Sequence, residues 1–247
     1  MKKSIAIITL LLGVTTAWAG LIADDFNRVN TAYSTAGSTI GANWVNPSSA
    51  NKFSISNNVL YMDAVGGGNN CILYNNAQQT LSGSGSSFTL SAQVAGHATV
   101  TATWQGVVFN YQNASNYYTL RFKTGAAGYQ LLGVSNNATI VVKSGNSTAG
   151  NFAAGTLYAV TVASDAAYDF DYSIKSVDGL TTFVSTNSVD ANSFFTGGYA
   201  GLYLGSAPNP APDSRFDNFN LTVIPEPATI GMFGLAAVLI LLFRRSR

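Results

Sequence analysis

The chain predicts an all-β protein, and three observations carry that prediction. Apolar side chains recur with period two. Tyr168, Phe170, Tyr172 and Ile174 alternate with Asp169, Asp171, Ser173 and Lys175, while Tyr118, Leu120 and Phe122 alternate with Thr119, Arg121 and Lys123. Such alternation gives a strand one buried and one wetted face. No internal segment carries a helical stripe. Turn clusters separate the apolar runs: Asn57-Asn58, Gly66–Gly68, Asn113–Asn116, Gly125–Gly128, Asn136-Asn137, Gly145–Gly150 and Asp178-Gly179. Asp178-Gly179 fits a two-residue hairpin turn with positive φ. Roughly a dozen short strands at this spacing mean a sandwich or barrel.

The elements follow in order. Lys2 and Lys3, the apolar run Ile5–Val14 and the small-residue site Ala17-Trp18-Ala19 make residues 1–19 a secretory signal peptide, cut after Ala19. The segment Asn27–Gly41 is polar and takes no assignment. Strands are expected at Lys52–Ile55, Val59–Asp63, Ser87–Ala95, Thr99–Trp104, Val107–Tyr111, Tyr118–Lys123, Tyr129–Val134 and Thr139–Val142. Further strands are expected at Leu157–Ala163, Tyr168–Lys175, Thr182–Thr186, Ala200–Leu204 and Arg215–Val223. The body, residues 20–223, suits a single domain with a sizeable core. It holds seven Lys/Arg and ten Asp, so its slight acidity gives no footprint for nucleic acid. Cys71 is the only cysteine, which excludes an intramolecular disulfide and reads as a small apolar packing group. Pro225-Glu226-Pro227 then precedes sixteen largely apolar residues, Ala228–Phe243, and the chain ends Arg244-Arg245-Ser246-Arg247. As a helix that segment spans about 24 Å, and its trailing arginines put the C-terminus in the cytoplasm and the body outside.

Two stretches carry resemblances. The tripartite tail from Ile224 on, with Pro225, Glu226 and Pro227 before the apolar run and Arg244, Arg245 and Arg247 after it, resembles the PEP-CTERM sorting signal of Gram-negative bacteria. The resemblance implies a transmembrane helix over 228–243, processing by an exosortase, and delivery to the cell surface or extracellular matrix. In the body, Gly106-Val-Val-Phe-Asn-Tyr, Asn116-Tyr-Tyr-Thr-Leu-Arg-Phe, Gly128-Tyr-Gln-Leu-Leu-Gly-Val, Gly155-Thr-Leu-Tyr-Ala-Val-Thr-Val, Gly197-Gly-Tyr-Ala-Gly-Leu-Tyr and Arg215-Phe-Asp-Asn-Phe-Asn-Leu follow one another. This succession resembles the concanavalin A-like, or laminin G-like, jelly roll. Asp24-Asp25-Phe26 followed by Trp44 is similar to the first strand of such modules, and Phe216-Asp217-Asn218-Phe219 to the last.

The body's chemistry is sparse. It contains no Glu, so the paired glutamates of the glucanases with this fold are missing. Asp169 and Asp171 share one strand face, which reads as a solvated acidic face. His97 is the only histidine and reads as a turn residue; no nucleophile elbow is present. Structural calcium is the one cofactor the sequence allows. The resemblance makes first and last strands neighbours, bringing Asp24 and Asp25 to Asp217 and Asn218. For sugar binding the candidates are Trp104, at a strand end beside Gly106, and Tyr117 with Arg121, on the face opposite Tyr118, Leu120 and Phe122; Lys123 shares that face. The sequence therefore predicts an exported, non-catalytic jelly roll. A structural or adhesive role at the cell surface comes first, carbohydrate binding is the alternative, and glycoside hydrolysis comes last. The expected partners are exosortase, the secretion machinery, the membrane before processing, and extracellular polysaccharide.

Overall fold

The computed structural model describes residues 20–32, 34, 36, 40–47, 51–64, 70–74, 87–96, 103–165, 169–190, 197–205 and 214–224. The expected signal peptide (residues 1–19), the expected sorting tail with its helix over 228–243, His97 and Tyr168 lie outside these residues. Among the described residues there are fifteen strands and no helix. In chain order they are β1 (Gly20–Asp24), β2 (Trp44–Val45), β3 (Asn51–Ser56), β4 (Val59–Ala64), β5 (Asn70–Tyr74), β6 (Ser87–Ala95), β7 (Trp104–Asn113) and β8 (Asn116–Lys123). There follow β9 (Gly128–Ser135), β10 (Ala138–Asn146), β11 (Leu157–Ser164), β12 (Asp169–Ser176), β13 (Thr182–Asp190), β14 (Tyr199–Leu204) and β15 (Ser214–Ile224).

Two antiparallel sheets result. The first runs β13-β12-β11-β6-β15-β4-β3 and the second β10-β9-β8-β7-β14-β5-β2. The long strand β15 serves two neighbours on one side. Ser214–Phe216 pair with β4, and Phe219–Val223 pair with β1, which sets Gly20 opposite Val223. The switch falls at a bulge between Asp217 and Asn220, where Asn218 takes a φ of 48°.

The period-two side chains meet between the sheets. Phe88, Leu90, Val160, Val162, Phe170, Ile174 and Phe216 from the first sheet join Val107, Phe109, Tyr118, Leu120, Phe122 and Leu131 from the second in one core. Phe170 reaches across to meet Phe109 edge-on at 5.1 Å and Tyr118 at 5.3 Å. Burying each such ring contributes about 1.5–3 kcal/mol, and favourable ring geometry adds about 0.5–1.5 kcal/mol. Trp44 closes one corner of the core. Phe26, Tyr74 and Phe219 surround it with centroids 5.0–5.6 Å away.

The turns follow side-chain chemistry. Asn57-Asn58 and Asn136-Asn137 have φ values of 53°, 61°, 50° and 67°, and each joins directly paired strands as a two-residue hairpin. Asp178-Gly179 departs from the expected two-residue turn. Gly179 alone of the two has positive φ, and β13 resumes only at Thr182. The Asp178 carboxylate accepts the Leu180 N–H at 3.0 Å and a bond from the Ser176 hydroxyl, which builds a wider loop from the side chain. Of the strand expected at Thr99–Trp104, residues 99–102 lie outside the described residues. Trp104 belongs to one continuous strand with Val107–Tyr111, running through Gly106.

Candidate functional site

Because Val107, Phe109, Leu120, Phe122 and Leu131 point into the sandwich, their strand neighbours cover the opposite face of the second sheet. A second, smaller apolar cluster forms there from Cys71, Leu73, Val108, Tyr111, Tyr117, Val134 and Tyr203, with Trp104 and Tyr199 packed against it. The three side chains singled out for sugar binding, Trp104, Tyr117 and Arg121, therefore lie on one face. They are not equally available. Tyr117 is 4% exposed and stacks on Tyr111 at 5.7 Å, so its ring is a packing element. Trp104 and Arg121 are half-buried and adjacent, with the guanidinium carbon 4.6 Å from the indole centroid.

The backbone explains how these two groups meet. Gly106 lies opposite Arg121 in the β7–β8 register. A Cβ at Gly106 would stand 1.9 Å from the Leu120 carbonyl oxygen, so only glycine permits this approach of the two strands. The indole reaches across β8 towards β9, its Cη2 3.8 Å from the position a Cβ would take on Gly128. Arg121 is clamped from both sides. Its Nε and Nη2 donate to Gln130 Oε1 at 3.2 and 2.8 Å, and its Nη1 donates to the Tyr203 hydroxyl at 2.9 Å. Lys123, next on that face, sits 6.0 Å from the Trp104 ring centroid. Gln130 and Tyr203 were not singled out from sequence. Alternation in Tyr129–Val134 places Gln130 on the outer face, but only the cross-strand register sets it against Arg121.

Beneath this patch, burial governs the acids. The Cys71 thiol is pushed up to about 12 by burial, against a smaller opposing effect of its hydrogen bond with Tyr111. Burial raises the Tyr203 phenol too, opposed by the Arg121 cation. Cys71 is thus a packed thiol, held in its neutral form.

The proposed metal residues gather at the other end of the chain's path. As the β1–β15 pairing requires, Asp24, Asp25 and Asp217 are neighbours. Asp217 is raised above its ordinary value, chiefly by burial and then by the charges of Asp25 and Asp24. Asp24 is already engaged. It pairs with Arg28, accepts the Trp44 Nε1–H at 2.7 Å and accepts the Phe26 N–H at 2.8 Å. Asp25 accepts the Asn27 N–H, and Asp217 the Asn218 N–H. Among the described residues no group of three or more His, Cys, Asp or Glu comes together as metal ligands. Calcium takes about six to eight oxygens, and this donor set, with Asp24 neutralised by Arg28, does not fit it. Beside it lies a cleft of about 340 Å³ lined by Asp24, Asp25, Arg28, Asn43, Trp44 and Tyr74, among others.

A further cleft of about 220 Å³ opens where β6, β11, β12 and β15 meet, with Asp165, Asp169 and Asp171 on its wall. Asp169 and Asp171 point away from the core on the face alternation predicted, Asp171 exposed and Asp169 half-buried. The Asp165 carboxylate accepts the Asp169 N–H at 3.1 Å, which ties the acids into the turn.

No family profile matches this chain, and no curated protein matches it in sequence. Solved structures do match it. The GH43 protein BlXynB from Bacillus licheniformis, in a mutant form, superposes with a TM-score of 0.53 at 12% identity, over 82% of this chain and 39% of that one. The chain thus spans well under half of that protein. Arcelin-5, a lectin-like defense protein from Phaseolus vulgaris, superposes with a TM-score of 0.51 at 9% identity, over 83% of this chain and 98% of that one. Carbohydrate binding module CBM66 from Bacillus subtilis is similar over 71% of this chain and 91% of its own, at 14% identity and a TM-score of 0.48. The likeness is one of fold, and the fold is the concanavalin A- or lectin-like jelly roll.

Proposed function

We propose that this chain is an exported, surface-delivered polysaccharide-binding protein, and that the outer face of its second sheet around Trp104 and Arg121 is the binding surface. One observation carries the reading. A half-buried indole lies across the sheet beside an arginine fixed by Gln130 and Tyr203, a rigid aromatic surface edged with hydrogen-bond donors. Sugar rings stack on such surfaces while their hydroxyls meet the polar rim. Arcelin-5, which shares the fold, is described as lectin-like, and this supports binding over the purely structural role that the sequence placed first. The body's lack of Glu supports binding without catalysis. The signal peptide before Gly20 and the tail beginning Pro225-Glu226-Pro227 support export, exosortase processing and display outside the cell.

The test uses protein recovered from the cell surface. Its mass should place the N-terminus at Gly20, and its migration should be retarded in gels containing polysaccharide. Trp104→Ala should weaken retention about tenfold or more, the scale of an aromatic anchor, while the protein still unfolds cooperatively. Equal retention of a folded Trp104→Ala protein would remove Trp104 from the site and sink the reading.

A further inference from the structure

We infer that the polysaccharide taken by this face is anionic, and the inference rests on the binding role proposed above. Charge is divided between the sheets. The strands of the second sheet carry Arg121, Lys123 and Lys143 and no carboxylate at all. Those of the first carry Asp24, Asp63, Asp169, Asp171, Asp190 and Asp217 against Lys52, Lys175 and Arg215. The body's slight net acidity therefore conceals a sheet whose strands carry only basic charges, two of which, Arg121 and Lys123, lie on its outer face, and such a face draws polyanions towards it.

The local chemistry points the same way. Among the described residues Arg121 is held by neutral acceptors only, where Arg28 has Asp24 as its counter-ion. A guanidinium has five N–H donors, and three are spent on Gln130 and Tyr203. With respect to the described residues one N–H is left on each of Nη1 and Nη2, and such donors suit the oxygens of a carboxylate or sulfate group. Among the described residues Lys123 makes no ion pair and stands beside the same indole. Neutral sugar hydroxyls both give and accept, and sites for them profit from carboxylate acceptors. Here the strands offer none. The clamped arginine is also oriented before the ligand arrives, so little of its side-chain freedom remains to be lost.

The experiment compares four immobilised polymers, polygalacturonate, alginate, dextran sulfate and neutral dextran, with the full chain in detergent and its Arg121→Gln and Lys123→Gln variants. Binding to an anionic polymer is expected, with affinity falling several-fold as salt rises and screening tightens. Arg121→Gln should lower that affinity about tenfold or more. Lys123→Gln, which breaks no side-chain hydrogen bond among the described residues, should lower it several-fold with the fold intact. Retention on the two uronate polymers identifies a carboxylate ligand, and retention on dextran sulfate a sulfated one; either supports the inference. Dextran bound as tightly as the charged polymers, with both variants indifferent, overturns it while leaving the binding role standing. A cooperatively unfolding chain that binds none of the four overturns both.

Discussion

Replacing Asp24 by alanine removes at once the counter-ion of Arg28, the acceptor of the Trp44 indole N–H and the acceptor of the Phe26 N–H. The last of these matters because Phe26, a bulky residue, is held at a φ of 51°, a conformation costing about 1–3 kcal/mol that its surroundings must impose. Asp24→Ala should therefore destabilise the protein by about 2–3 kcal/mol in urea unfolding. Asp25→Ala, which loses an exposed turn contact, should stay within about 0.5 kcal/mol. Equal effects would show that the corner is held by packing alone. At this scale the sequence was partly legible. Alternation placed Tyr117, Arg121 and Lys123 on one face, while Trp104 was legible only as a strand-end residue and Cys71 as a small apolar packing group. It gave no means of separating Tyr117, sunk against Tyr111, from Trp104, which stays half open. Both are aromatic residues on outward positions, and what differs is the neighbour each meets across the sheet.

Between β7 and β8 the deciding position is Gly106. Its missing side chain lets the Leu120 carbonyl and the Arg121 Cα come close, and this sets Arg121 beside Trp104. Gly106→Ala should force those strands apart, costing about 1–3 kcal/mol and weakening polysaccharide retention along with stability. Gly179→Ala, with open space around its Cβ position, should cost less, and its loss should come from the φ of 75° alone. Urea midpoints of the two variants make the comparison; equal losses would mean that the close approach is not what Gly106 provides. Hairpins were the most legible elements. Asn-Asn pairs tolerate left-handed φ at both central positions, and both formed the tight turns their type predicts. Asp178-Gly179 misled because its carboxylate found local donors and widened the loop. β2 and β5 went unassigned. Two residues show no periodicity, and Asn70–Tyr74 presents apolar side chains to both faces because both of its faces are covered.

Across the whole molecule, the buried thiol and phenols couple stability to alkali. Cys71 moves from 9.0 to about 12 and Tyr172 from 10.0 to about 12, each mainly by burial, and burial raises Tyr111, Tyr158 and Tyr203 as well. The folded chain keeps these protons where the unfolded chain gives them up. Their contribution is complete below the unfolded values and is lost as pH rises from about 9 towards 12. Urea midpoints should hold steady up to about pH 9 and then fall, with Cys71 alone contributing up to about 1.4 kcal/mol per pH unit. Cys71→Ala should make the decline shallower; an unchanged decline would rule out the thiol as a source. For the described residues the all-β class was legible, since it rests on the periodicity that strands such as β6, β11 and β12 share. The division of charge between sheets was not, because sequence order mixes strands that the topology separates. That topology also fixes an orientation. Gly20 lies opposite Val223, so the body's first and last strands bring their outer ends together at one end of the sandwich. Trp104 follows β6 at the end where Ala95 pairs with Arg215, while Ser87 pairs with Ile224 at the other. The eleven residues of β15 separate those ends by about 35 Å. The basic, aromatic patch on the second sheet therefore lies towards the end of the sandwich away from the paired Gly20 and Val223, clear of the place where the body's first and last strands meet.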